Sequence, residues 1–249
     1  MSLRDALLVL AGGLFAGAAN VVAGGGSLLT FPLLVALGLS PIDANVTNTV
    51  GVAPAGLGGV LGLGDELRGQ RDRLLRLLPL TVVGAIAGAV LLLTTPARAF
   101  SRVVPALIVV ACVVLLLQNR IAAMVSGSGR RRRTWLLTCG LLLTSVYGGY
   151  FGAGVSVIVL ALLAVTVTDH LQRLNALKVP LAGVMNLVSG LAFVLFAHVH
   201  WGYALVLAPS TLVGGRAGAV AARRIPDRPL RYMVIVLGLA AAAWLQFAR

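Results

Sequence analysis

Three consecutive glycines, Gly24, Gly25 and Gly26, interrupt an apolar stretch near the start of the chain. Glycine costs roughly 1 kcal/mol per position in a helix interior, so the triplet predicts the end of one helix. Ser27 follows as a suitable N-cap for the next, with an apolar run over 28–39 behind it. A helix that starts at membrane depth points bare N–H groups, and the positive end of its dipole, at whatever lies in front. A second copy of the break stands at Gly149, Tyr150, Phe151, Gly152, Ala153, Gly154, Val155 and Ser156. The two breaks read as two halves of one anion site. On that reading the backbone amides of Ser27, Leu28, Val155 and Ser156, with both serine hydroxyls, receive an oxyanion. The plainer account is that the glycines only let helices pack closely. Breaks at matching places in both halves favour a site.

Membrane depth follows from composition. The 249 residues are 59% hydrophobic and 11% charged, whereas a soluble domain is about 45–50% apolar and about 25% charged. Apolar runs over 74–95, 103–117 and 230–245 approach the roughly 20 residues that cross a bilayer. The chain reads as an all-α, polytopic membrane protein with little left over for a soluble domain. The net charge of +13 raises nucleic-acid binding. The arginines, however, fall in short segments between apolar runs: Arg68, Arg71 and Arg73; residues 130–133; and Arg223, Arg224, Arg228 and Arg231. That is the positive-inside distribution and not a basic face on a soluble fold, so no nucleic-acid partner is expected. Cys112 and Cys139 lie in apolar segments without metal-ligand neighbours and read as small buried hydrophobes. Residues 1–19 have the composition of a signal peptide. They have a counterpart in the second half, so they are expected to remain as a helix.

Ten apolar elements are expected, at about 4–23, 27–38, 42–63, 74–95 and 99–121, then 134–148, 154–167, 170–196, 202–222 and 229–247. The two sets match in sequence. Pro79, Gly84, Gly88 and Val90 align without gaps to Pro209, Gly214, Gly218 and Val220, and Pro96 and Arg98 fall on Pro226 and Arg228. Upstream, Asn45 falls on Asn175 and Asn48 on Lys178; the Gly24 break meets Gly152 after a shift of two residues. A duplicated membrane unit is the mark of many secondary transporters. The chain divides into a first repeat over 1–125, a Gly/Ser/Arg linker over 126–133 and a second repeat over 134–249.

The elements behind the breaks are too short to span fully. Whether they fold back or cross, the count of crossings per half is odd, so the halves are expected to be inverted; only one bent crossing built from both elements gives an even count. Odd counting puts the Arg-rich loops 64–73, 120–133 and 222–231 in the cytoplasm and the Lys/Arg-free loop 197–201 outside, as the positive-inside rule asks. Arg98 and Arg102 then lie outside, against the trend. The Arg-rich loops are expected to touch anionic lipid headgroups.

Polar helix starts follow each short element, at Ser40-Pro41 and Thr168-Asp169. One turn further on, Asn45, Thr47, Asn48, Asn175 and Lys178 reach the membrane. Buried amides there are costly without a ligand or partner. Lys178 either pairs with an anionic substrate or snorkels to the interface. Arg216, inside a small-residue helix, is open to the same two readings. Gly84/Gly88 and Gly214/Gly218 are GxxxG pairs for close helix packing. His198 and His200 beside Trp201 read as interfacial anchors. No paired carboxylates, metal cluster or nucleophile–base pair stands out, so neither an enzyme nor a cofactor is expected.

The run Gly24-Gly25-Gly26-Ser27-Leu28-Leu29-Thr30-Phe31-Pro32, then Gly38-Leu39-Ser40-Pro41 and Ala44-Asn45-Val46-Thr47-Asn48, resembles the sulfite exporter TauE/SafE family of permeases. The second half matches at Gly148-Gly149-Tyr150-Phe151-Gly152-Ala153-Gly154 and Leu174-Asn175-Ala176-Leu177-Lys178. The resemblance implies an inner-membrane permease of duplicated architecture that handles sulfite, sulfonates or sulfoacetate. With the residue reading, it implies a substrate site near the midplane built from Gly24, Gly25, Gly26, Ser27, Leu28, Asn45, Thr47, Asn48, Gly152, Gly154, Val155, Ser156, Asn175 and Lys178. Export of an anion down an inside-negative potential is the expected direction. A non-transporting scaffold for a sulfur-metabolism enzyme and an anion channel are the rival readings. A homo-oligomer is compatible with the sequence.

Overall fold

A computed structural model describes residues 1–125, 130–221 and 227–247, and these are helical with short connections. The helices are α1 (Leu3–Val22), α2 (Ser27–Ala36), α3 (Pro41–Gly62), α4 (Gly64–Leu67), α5 (Arg71–Thr94), α6 (Ala97–Val125), α7 (Arg130–Tyr150), α8 (Val155–Thr166), α9 (Leu171–Phe196), α10 (Trp201–Ala221) and α11 (Asp227–Phe247). Ten of them are the elements expected from the sequence; α4 is one added turn. Linker residues 126–129, and Arg223 and Arg224, lie outside the described residues.

The duplication is visible in the helix boundaries. Helices α3, α5 and α6 begin at 41, 71 and 97; α9, α10 and α11 begin 130 residues later. The ends of α1 and α7, and the starts of α2 and α8, are 128 residues apart. Helix α8 has 12 residues where α2 has 10, and this absorbs the shift.

Both breaks close the preceding helix in the same way. The Gly24 amide donates to Ala19 O at 2.8 Å and the Gly152 amide to Tyr147 O at 3.2 Å. Their φ angles are 88° and 73°. Each is an i→i−5 bond made by a left-handed residue, a conformation glycine adopts without a Cβ clash.

The chain then turns back. Gly26 packs against Ala16, and Gly12 against Leu33, so α2 runs antiparallel to α1; Gly148 on Val155 and Gly140 on Leu162 do the same for α7 and α8. Each break is therefore the tip of a helical hairpin. At about 1.5 Å per residue the short helices are roughly 15–18 Å long, about half of a bilayer core of roughly 30 Å. Helices α1 and α3 both run parallel to α10: Gly13 and Gly17 meet Leu207 and Thr211, while Gly51, Gly58 and Gly62 meet Leu207, Leu212 and Ala219. Helix α2, which links α1 to α3, has to return to the side where α1 began.

The repeat-matched helices α3 and α9 run antiparallel. Asp43 at the start of α3 faces His200 beyond the end of α9. Gly190 packs on Val50 and Gly183 on Gly56. At the far end Arg173 donates to Arg68 O at 3.4 Å. The halves are interlocked: α10 packs on α1 and α3, and its counterpart α5 packs on α7 and α9. The GxxxG pairs permit this. A Cβ on Gly88 would overlap the backbone of Val146, and one on Gly214 or Gly218 the backbone of Leu14 or Ala18.

Among the described residues, five segments are long and apolar enough to cross a membrane: α1, α5, α9, α10 and Ala97–Val114 of α6. Leu57, Leu61, Ile86, Val90, Leu187, Leu191 and Val213 are exposed on the outside of the bundle. Such a surface suits hydrocarbon, where helices bond their own backbone groups.

Candidate functional site

The two hairpin tips meet. A Cβ on Gly24 would lie 2.9 Å from Val157 N and 3.1 Å from Ser156 C. One on Gly154 would lie 3.6 Å from Leu28 Cδ1. The rings of Phe31 and Phe151 stack edge-on with centroids 5.2 Å apart. Residues 23–28 and 151–157 are buried.

Beside the second tip is a small cavity of about 10 Å³, room for about one water molecule. Asn20 and Val21 of α1, Ala55 and Gly56 of α3, Ser156 of α8, and Val179, Ala182, Gly183 and Asn186 of α9 line it. Gly56 and Gly183, where α3 and α9 touch, place it at the middle of the bundle. Asn186 is 4% exposed and Ser156 3% exposed, and neither side chain has a hydrogen-bond partner among the described residues. Ser156 is also in the first turn of α8, where the dipole is positive.

The amides at the tips divide into used and free. Leu28 N donates to Gly25 O at 3.0 Å and Val155 N to Gly152 O at 3.1 Å. The amides of Ser27 and Ser156 have no acceptor among the described residues. Ser27 does not cap α2 as expected: it is the first residue of the helix, and Gly26 holds the cap position with no side-chain bond. The tight bend against Ala16 leaves no room for a Cβ at Gly26.

A second set of contacts fixes the tips, and it crosses between the halves. Asn45 Nδ2 of α3 donates to Tyr150 O, the last residue of α7, at 3.1 Å. Lys178 Nζ of α9 donates to Val21 O at 3.0 Å and Asn20 O at 3.3 Å, at the end of α1. Both satisfy carbonyls that a helix C-terminus leaves without partners, and the ammonium also suits the negative end of the α1 dipole. Lys178 is fully buried, so it does not snorkel. Tyr147 adds a clamp on the second tip, donating its hydroxyl to Ala153 O at 2.7 Å.

A model of the family described as sulfite exporter TauE/SafE matches residues 9–245. The chain belongs to that family. It is 26% identical over 245 residues to "Probable membrane transporter protein YfcA" of Escherichia coli K12, covering 94% of this chain and 87% of that one. It is 27% identical over 236 residues to a "Probable membrane transporter protein" of Haemophilus influenzae, covering 90% and 88%. No solved structure matches significantly. The protein is therefore a multi-pass cell-membrane protein of a transporter family, and not an enzyme.

Within this TauE/SafE architecture the remaining expected site residues take several places. Gly25 packs on Val234 of α11 and Gly26 on α1. Leu28 faces an apolar groove between α1, α2 and α11. Thr47 accepts the His200 amide at 3.1 Å, in the connection between α9 and α10. Asn48 Oδ1 and Asn175 Oδ1 are buried without a partner among the described residues. Arg216 is exposed on the outside of α10, as snorkelling requires. Asp169 does not start α9, whose cap position is His170. Its carboxylate turns instead to Arg73 at 2.9 Å and Arg173 at 3.2 Å. The Arg73 guanidinium holds the Asp169 carboxyl below the usual carboxylate range, helped by the His170 amide and Arg173.

Two residues of the cavity were missed in the sequence, Asn20 and Asn186. Both are amides inside apolar spans, and the rule that intramembrane polar groups are functional until shown otherwise would have found them. Their counterparts in the other half are apolar or glycine, Asn186 falling on Gly56, so a search for matched polar pairs passes over them.

Proposed function

We propose that the chain is a secondary transporter that exports small sulfur-containing oxyanions, such as sulfite, sulfonates or sulfoacetate, through a site between the hairpin tips. The observation that carries this is the pair Ser156 and Asn186. Both are buried, without partners, and border the same cavity at a helix N-terminus. Their polar atoms face the cavity without a protein partner among the described residues, and an oxyanion there would engage both together with the free Ser156 amide. Family membership supplies the sulfur-anion class. The cavity is too small for an oxyanion as it stands, so entry requires the two tips to part. That favours a carrier over an open channel.

The halves are taken as inverted repeats, with loops 64–73, 120–133 and 222–231 cytoplasmic and 197–201 outside. The antiparallel run of α3 and α9 supports this, as does the arginine distribution. An inside-negative potential then drives a monoanion outward by about 2.3 kcal/mol per 100 mV. The test is efflux of sulfite or ethanesulfonate from proteoliposomes under an imposed potential. Efflux that needs the protein, and that falls at least tenfold in Ser156→Ala and Asn186→Leu, is expected. Liposomes no leakier than protein-free ones would overturn the transport reading in favour of a scaffold. Conduction far above carrier turnover would replace it by a channel.

A further inference from the structure

Lys178 is the single lysine of the chain. It is also the one fully buried cation among the described residues. Among the described residues no carboxylate touches it: its hydrogen-bond partners are the backbone oxygens of Asn20 and Val21. A buried charge held only by carbonyl dipoles is under-compensated, since a helix C-terminus offers about half a negative charge. Yet the site is poised beside the cavity. Asn20 and Val21, which hold the ammonium, both line it, and so does Val179, the next residue along α9. Lysine, unlike arginine, carries a compact point charge on a flexible stem with rotatable donors, so it can leave one set of oxygens for another without rebuilding a planar fork.

We propose that Lys178 is the mobile countercharge of the carrier. In the empty site its ammonium rests on the carbonyl oxygens at the end of α1; in the filled site it turns to the oxyanion. The inference rests on the transport reading above. Its consequence is a division of charge between the two halves of the cycle. A monoanion, such as an alkylsulfonate, and one ammonium sum to zero, so the loaded site crosses the membrane neutral. The empty site crosses carrying +1. An inside-negative potential therefore acts on the return of the empty carrier, pulling it inward, and net export is driven through that step. A dianion, such as sulfate or sulfoacetate, would leave the loaded site with a net charge of −1, so its exchange would sense the potential where that of an alkylsulfonate does not.

The experiment compares two fluxes in proteoliposomes holding the whole protein, with ethanesulfonate as the probe. Exchange, with ethanesulfonate on both sides, uses only loaded crossings. Net efflux into anion-free buffer also needs the empty return. In the wild type, exchange should change less than about twofold across 100 mV, while net efflux rises steeply, with a ceiling near 50-fold for one full charge. Lys178→Arg should keep this contrast at reduced rate. Lys178→Gln should make exchange voltage-dependent, because its loaded carrier now bears −1. The wild-type comparison stands even where a variant does not fold. Ethanesulfonate flux with exchange as voltage-sensitive as net efflux would overturn this inference alone. No ethanesulfonate flux of either kind would sink the transport reading together with it.

Discussion

Substituting Gly24 by alanine tests the contact between the tips, and a second glycine supplies the control. Both Gly24 and Gly38 hold left-handed φ angles, 88° and 96°. An alanine in that conformation costs about 1–2 kcal/mol wherever it stands. Around Gly38 nothing lies within 4 Å of an added Cβ, so Gly38→Ala should cost that strain and no more. At Gly24 the same Cβ meets Val157 N at 2.9 Å and Val157 Cγ2 at 3.0 Å. The nearest atom is backbone and cannot swing aside, so α8 has to shift. Overpacking of this kind costs about 1–3 kcal/mol more, which puts Gly24→Ala at about 2–5 kcal/mol. The assay is denaturant unfolding in mixed micelles, run on both variants beside the wild type. Equal losses for the two would show that Gly24 and Val157 are not in contact, and the account of touching tips would fail.

Ser156→Ala and Asn186→Leu each remove one donor to a charged ligand, worth about 1.5–3 kcal/mol, so the apparent KM for a sulfur oxyanion should rise roughly 10- to 150-fold in flux assays. Thr47→Val should leave that KM within about twofold, since the hydroxyl is engaged with the His200 amide away from the cavity; a tenfold change would put Thr47 back in the site. Asn45→Leu frees Tyr150 O at the second tip and should destabilise the fold by about 1–3 kcal/mol in the same unfolding assay. The depressed Asp169 carboxyl contributes stability that is fully present above the ordinary carboxylate pKa of about 4 and is lost as pH falls through the lower folded value. Acid unfolding of Asp169→Asn should accordingly lack part of the wild-type pH dependence below about pH 4.

Much of the architecture could be read from the chain because the signals were local. Glycine triplets end helices, Ser40-Pro41 begins one, and GxxxG pairs pack; each rule acts within a turn or two of its residues. The gapless match of Pro79 and Gly84 to Pro209 and Gly214 carried the duplication. The two-residue shift at the breaks reappears as the extra length of α8. What the chain hid was contact across the halves. Expecting two helix N-termini to share a pocket treated the breaks as equivalent, but the cavity takes Ser156 from the second tip and Asn20 and Val21 from the far end of α1. Lys178 was singled out for its charge, while its acceptors, two backbone oxygens more than 150 residues away, leave no trace in side-chain spelling. Ser27 and Ser156 look alike in sequence; only packing shows that one borders the cavity and the other does not.

The most direct test of an oxyanion site between the hairpin tips is to locate an anion there. Selenite is a heavy analogue of sulfite whose anomalous scattering can be mapped in crystals of the protein. The account predicts a selenium peak within hydrogen-bond reach of the Ser156 amide and hydroxyl and the Asn186 amide. Selenium found only along the Arg-rich loops, in protein that transports sulfite, would contradict it.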